Sequence, residues 1–159
     1  MTAIQRVRVF NQGRVEAPAA KVWAWLTDWA GTKRGTQAGG AGATSFSGIT
    51  LIGGEDEIPR TRVFEFPNLG EVRETLRGQD DAAMHLYYTI DGDGPLGMRN
   101  YLATTDVDPV SDTACMVTIT ARFDLAPGAD VVAAKTLIDN AHMNAVIATL
   151  RKVLEQAEG

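Results

Sequence analysis

The chain has 159 residues and a mass of 17.1 kDa, the span of one domain, which at this size can bury about 68–70% of its unfolded surface around a core of its own. Hydrophobic residues make up 45% and charged residues 22%, a globular balance that excludes a fibrous or disordered chain. The net charge of −5 and pI near 5.0 argue against the basic stripe of a duplex-binding protein and against electrostatic docking on anionic lipid.

In Gln5 to Glu16, Val7, Val9 and Val15 alternate with polar residues at a period near two, which predicts a strand closed by Ala17-Pro18. From Ala19 to Leu26, the spacing of Val22, Trp23 and Leu26 predicts a short helix ended by Asp28-Trp29. Gly31 to Gly48 contains six glycines and reads as a loose loop or a weak second helix. Alternation then predicts strands at Ser47 to Ile52, Arg60 to Phe66, Gly70 to Gly78, Ala83 to Asp91, Arg99 to Asp108 and Met116 to Leu125. Turn chemistry joins them: Pro67-Asn68-Leu69-Gly70, Gly78 to Asp81, Asp91 to Pro95 and Pro109 to Asp112. Asp130 is the expected N-cap of a last helix running without Gly or Pro to Gln156, about 27 residues or ~40 Å, with a stripe that includes Val132, Met143, Val146, Leu150, Val153 and Leu154.

This order predicts an α+β fold: one antiparallel meander, curved around the long terminal helix, as a single domain over residues 1–159. A bent sheet gripping a helix leaves an apolar gap where the two diverge, and such gaps hold small molecules. The lone Cys115 permits no internal disulfide and suits a cytoplasmic protein. The apolar runs are too short for a membrane helix, and charges interrupt Met1 to Phe10 where a signal peptide needs an apolar core.

The stretch Val15-Glu16-Ala17-Pro18-Ala19-Ala20-Lys21-Val22-Trp23, with Asp28 beyond it, resembles the opening of the START-like, Bet v 1-like (SRPBCC) superfamily. Glu74-Thr75-Leu76, Asp80-Asp81, Tyr88, Gly94-Pro95-Leu96 and Asn100 to Thr104 follow in an order similar to its polyketide cyclase/dehydrase-like branch, as does the Ile147, Leu150, Leu154 pattern. The resemblance covers nearly the whole chain. It implies the helix-grip fold, with about seven strands around the C-terminal helix and two short helices after the first strand. Gly35 and the run Gly39 to Gly42 depart from it and bear on how the pocket entrance closes. The fold hosts cyclases, lipid carriers, hormone receptors and co-chaperone modules, so the resemblance implies a pocket and not a reaction.

Glu74, His142 and Tyr101 are the candidate catalytic residues, with Tyr88 as a candidate ligand contact beside them. Glu74 shares strand parity with Val72 and Leu76, so its carboxylate faces the interior if they do; it is then either a functional group or the partner of Arg60, Arg62 or Arg99, and otherwise a solvated edge residue. In related receptors the matching glutamate is similar to one that contacts ligand through water. His142 flanks the apolar stripe one turn before Val146, with Asp139 near it, a pairing suited to proton transfer; a hydrogen-bonded boundary histidine looks the same in sequence. Tyr101 and Tyr88 fall on apolar parity, where a phenol is a core filler or a hydroxyl donor to ligand. Tyr101 resembles a pocket tyrosine of the receptor branch. Arg99, Ala103, Phe123, Met143 and Val146 complete the expected lining, and the loops holding Asn68, Leu69, Pro95 and Leu96 are the expected rim. His85 has the outward parity, and Gly54 to Glu57 reads as a solvated hairpin end.

Other chemistries find no support. Gly40 to Ser45 lacks the lysine of a phosphate loop and the last glycine of a dinucleotide fingerprint. Two histidines and one cysteine on separate elements make no metal spacing, and no nucleophile elbow exists. The expectation is a cofactor-free, metal-free protein that binds a hydrophobic polyketide, aromatic or lipid-like molecule, with cyclisation or dehydration of that molecule as an open question. The alternatives are a non-catalytic carrier or sensor, and a co-chaperone-like interaction module. No nucleic acid or membrane insertion is expected, and a monomer or homodimer is left open.

Overall fold

In a computed structural model, residues 3–31, 49–66 and 68–155 are described here, Phe66 by its backbone alone. Seven strands form one curved antiparallel sheet in the order β1-β7-β6-β5-β4-β3-β2. They are β1 (Gln5–Val15), β2 (Ile49–Ile52), β3 (Arg60–Phe66), β4 (Gly70–Asp80), β5 (His85–Ile90), β6 (Arg99–Ser111) and β7 (Ala114–Leu125). β2 through β7 pair consecutively as a meander, while α1 (Ala19–Thr27) carries the chain away from β1, which instead closes on β7. The second short helix expected between 31 and 48, with Gly35 and Gly39 to Gly42, lies outside the described residues, as does Gln156.

Alternation accounts for the faces. Along β1, Val7, Val9, Asn11, Gly13 and Val15 are buried and their neighbours are not. The same parity buries Val72, Glu74 and Leu76 on β4, Leu86, Tyr88 and Ile90 on β5, and Phe123 and Leu125 on β7. α1 adds Val22, Trp23 and Trp25, and Trp29 follows it into the core. The β4–β5 register skips one residue between Leu76 and Gly78, a bulge at Arg77.

Three expectations need correction. The turn placed at Gly78 to Asp81 falls at 81–84, because β4 runs on to Asp80 past its bulge. Of the turn placed at Pro109 to Asp112 only Asp112 is in a turn: β6 runs on to Ser111, with Pro109 opposite Cys115 beside a register irregularity. Val132 is not on the buried stripe of the last helix; it is 74% exposed.

That helix begins as predicted, with the Asp130 carboxylate accepting from the Ala133 amide at 3.0 Å. It is α-helical over Val131–Asn140 (α2), widens to a π-helical stretch over Ala141–Ile147, returns briefly over Ala148–Leu150 (α3) and widens again over Arg151–Glu155. Its buried positions explain the change of pitch. Ala134, Ile138 and His142 recur every fourth residue, and the next fully buried side chain, Ile147, comes five later. A π turn absorbs that extra residue and keeps both ends of the step facing the sheet. Ile147 lands on Gly13 of β1, where an added Cβ would sit 2.7 Å from the Ile147 Cγ2. Farther along, Arg151 Nε donates to the Arg14 carbonyl at 2.9 Å and Glu155 accepts from the Glu16 amide at 2.9 Å, tying the helix end to β1.

Candidate functional site

Between sheet and helix lies a cavity of about 60 Å³. The sheet side consists of Arg62 and Phe64 from β3, Val72 and Glu74 from β4, Tyr88 and Ile90 from β5, and Tyr101 from β6, with Pro95 from the β5–β6 connection. The helix supplies Leu137, Ile138, Ala141, His142, Ala145 and Val146. A second void of about 30 Å³ shares Arg62, Tyr88 and Val146 with the first and reaches Trp29 and Trp25. A single water needs about 10–15 Å³, so this cavity has room for a few, whereas drug-sized ligands occupy clefts of about 300–1,000 Å³. A ligand of that size must part the lining.

The polar groups are built from sheet register. Glu74 stands directly across from Arg62 in the β3–β4 pairing. Its Oε1 accepts from both Arg62 Nε and Arg62 Nη2 at 2.7 Å. Arg62 also lies over the Trp29 ring at 3.6 Å and donates to the Trp29 carbonyl at 3.3 Å, while Trp29 Nε1 donates to the Glu74 carbonyl at 3.1 Å. The guanidinium is thereby sandwiched and its geometry set, the arrangement that a planar cation suits best.

The two phenols follow. Tyr88 meets Trp29 edge-on at 5.1 Å and Tyr101 at 6.2 Å, and Tyr101 stacks on Phe123 at 5.9 Å. Burial first, and then the Glu74 carboxylate, push the Tyr88 phenol above its ordinary range. Tyr101 is raised by burial, then by Tyr88 and Glu74. Both phenols therefore stay protonated at neutral pH, as hydroxyl donors and not as bases.

His142 faces them from the helix and is 3% exposed. Its Nδ1 lies 3.1 Å from Asn11 Nδ2, and the same Asn11 nitrogen donates to Asp139 Oδ1 at 3.1 Å. Its Nε2 is buried without a partner among the described residues. Burial lowers its pKa to about 4, against a smaller opposing pull from Asp139, so the ring is neutral at pH 7.

The structure thus brings Glu74, Tyr88, Tyr101, His142 and Val146 of the expected site together around one cavity, with Pro95 at its border. It does not bring the others there. Arg99 is exposed and pairs with Asp93 at 3.4 Å, because it starts β6 at the sheet's outer end. Ala103 and Phe123 are core residues beside and behind the tyrosines, and Met143 packs on the core from the helix flank. Asp139 reaches the site only through Asn11. Asn68, Leu69 and Leu96 are exposed; Asn68 and Leu96 have φ of 63° and 58°, turn conformations rare for residues with a side chain. Pro67 lies outside the described residues. Of the three arginines considered for Glu74, Arg62 is the partner; Arg60 donates instead to the Thr27 and Glu57 carbonyls and to Gln79. His85 lies outside the cavity, its Nδ1 2.7 Å from Asp106.

Asn11 and Trp29 escaped the sequence reading. Asn11 carried a usable signal, a polar amide on the buried parity of β1, while Trp29 looked like a helix terminator. Among the described residues no group of three or more His, Cys, Asp or Glu is placed to hold a metal, and no helix is long and apolar enough to cross a membrane.

A curved seven-stranded sheet gripping a C-terminal helix over an apolar cavity is a hydrophobic-ligand-binding architecture. The chain belongs to the polyketide cyclase / dehydrase and lipid transport family, whose sequence pattern matches residues 6–155. No curated protein sequence matches it. Among solved structures, a Thermobifida fusca protein determined by solution NMR is 27% identical over 95% of both chains, with a TM-score of 0.76. Norcoclaurine synthase from Thalictrum flavum, as a point mutant in complex with a transition-state analogue, is 16% identical over 100% of both chains, TM-score 0.77. The same enzyme in complex with dopamine and hydroxybenzaldehyde is 17% identical, covering 98% of this chain and 90% of that one, TM-score 0.77. At that identity the likeness to the synthase is one of fold.

Proposed function

We propose that this protein binds a hydrophobic, oxygen-bearing small molecule between the sheet and the C-terminal helix, and uses Glu74 to move a proton on it without a cofactor. The observation that carries the reading is a polar cluster, Arg62–Glu74, Tyr88, Tyr101 and His142, concentrated in an otherwise apolar cavity. Structural packing alone gains nothing from a buried imidazole nitrogen that has no partner among the described residues.

The chemistry that fits is enolisation of a ketone, the step that opens a cyclisation or dehydration. The Glu74 carboxylate takes a proton from the carbon beside a carbonyl, and neutral phenol O–H and imidazole N–H groups hydrogen-bond the oxygen on which charge develops. The fold holds a flexible substrate in one pose, which supplies the orientation part of catalysis. The family's description and the aromatic small molecules bound by the similar synthase support this class of ligand. A carrier would share the cavity and lack the proton step, whereas a protein-interaction module would have no use for the two voids.

The test has two arms. The dye 1-anilinonaphthalene-8-sulfonate should bind saturably at one site, and Ala145→Trp, which fills the cavity, should abolish that binding. No saturable binding to the wild-type protein would overturn the pocket. In the second arm, the protein should accelerate deuterium exchange at the central carbon of 2,4-pentanedione, and Glu74→Gln should lose about 10²–10⁴-fold of that acceleration. Equal exchange with and without wild-type protein would leave a carrier.

A further inference from the structure

We propose that the Asp139–Asn11–His142 chain locks His142 as the Nε2–H tautomer, making it the donor that anchors a ligand's carbonyl oxygen. This rests on the pocket reading above and names the chemistry of the group that docks at the helix side of the cavity.

Elementary bookkeeping carries the argument. The Asp139 carboxylate has only acceptors to offer, so the end of the Asn11 amide that faces it must be NH₂. Turning the amide over would set two oxygens, neither with a proton, against each other at 3.1 Å. The same NH₂ carries a second hydrogen, and the atom 3.1 Å away in that direction is His142 Nδ1. Nδ1 is therefore the acceptor. In a neutral imidazole the proton then sits on Nε2. The ring is held neutral by burial, the larger influence, against Asp139; Arg62, Glu74, Tyr88 and Tyr101 are the other titratable groups lining its cavity.

What remains is a donor with nothing to give to. Nε2 is buried and unpartnered among the described residues, in a side chain that lines the cavity. The Arg62 guanidinium, by contrast, is already committed to Glu74 and the Trp29 carbonyl. A buried, unmade hydrogen bond is costly, and a ligand that supplies the acceptor recovers that cost on binding. Ketone, ester and quinone oxygens qualify. A ligand whose only polar group at this point is a donor, such as an ammonium, meets N–H with N–H and is rejected. The tautomer also gives His142 the role of hydrogen-bond donor and leaves proton abstraction to Glu74. Asn11 and Asp139 act through His142 and are positioning residues.

The probes are 2-acetylnaphthalene and 2-isopropenylnaphthalene, near-isosteres that differ in C=O against C=CH₂. Their affinities are measured by tryptophan fluorescence or calorimetry. The wild-type protein should prefer the ketone by about tenfold, and His142→Phe, which keeps the ring volume and loses the donor, should bind the two alike. Two-bond proton–nitrogen spectra of protein labelled at its 2 histidines read the tautomer directly. His142 Nε2 should show a pyrrole-type shift and Nδ1 a pyridine-type shift, Asn11→Leu should mix the two, and 2-acetylnaphthalene should move Nε2. Equal wild-type affinity for both probes, or a pyrrole-type Nδ1, overturns this inference and leaves the pocket standing. Failure of both probes to bind overturns the pocket reading and this inference with it.

Discussion

His142 shows how burial and one partner set a side chain's chemistry. Histidine in water shares its proton between two nitrogens and gains a second near pH 6.5; here the ring is confined to the neutral form down to about pH 4. The sign of the pH dependence follows. The unfolded chain takes up a proton near pH 6.5 and the folded chain only near 4, so stability is complete above 6.5, falls as pH drops from 6.5 to 4, and levels off below. The total is about 3 kcal/mol. Urea titrations at pH 7 and pH 4.5 should therefore show a larger loss for the wild-type protein than for His142→Phe; equal losses would place the ring in water. Glu74 makes the complementary case. Its parity on β4 was legible from Val72 and Leu76, but the choice of Arg62 over Arg60 or Arg99 was not, because cross-strand register selects the partner.

At the scale of elements, the contact between β1 and the C-terminal helix positions the site. Gly13 allows Ile147 to approach the strand, and the five-residue step to Ile147 from His142, which faces Asn11 and the cavity, is accommodated by the π stretch. Gly13→Ala forces a methyl against Ile147 Cγ2 and should cost about 1–3 kcal/mol, read from denaturant midpoints. Because Ile147 Cγ2 is the nearer of the two atoms met, the other being the flexible end of Arg151 at 2.9 Å, the double variant Gly13→Ala with Ile147→Ala should lose less than the two single losses added. Additivity would show that Gly13 matters for another reason. Alternation predicted six of the seven strands to within a few residues at each end, and β2, from Ile49, falls within the predicted Ser47 to Ile52 stretch. The helix pitch was invisible, since Gly and Pro are absent from that segment and nothing local marks a π turn.

At the scale of the molecule, the cavity is the place where the sheet and helix fail to fill space between them. Its small volume makes ligand binding a matter of parting packed side chains, so an occupant should stabilise the whole fold. At a concentration one hundred times its dissociation constant, 2-acetylnaphthalene should add about 2.7 kcal/mol to unfolding free energy, with a matching rise in Tm. Ala145→Trp should show no rise. A rise in that variant equal to the wild-type one would move the binding site elsewhere on the molecule.

Strand periods, turn residues, the Asp130 cap and the order of elements are local patterns, and through them the sequence by itself determined the sheet, the helix and the family resemblance. It also tied the facing of Glu74 to that of Val72 and Leu76, and of the two phenols to their apolar neighbours, because side chains alternate along an extended backbone; which face is the inner one was settled by packing. Only the tertiary structure decided that Arg62 neutralises Glu74, that Arg99 stays outside, and that Asn11 reaches across to His142 and Asp139. Those outcomes depend on register between strands and on the rotation of a helix over a sheet. Both are set by contacts between residues apart in the chain, 12 positions for Arg62 and Glu74 and 131 for Asn11 and His142.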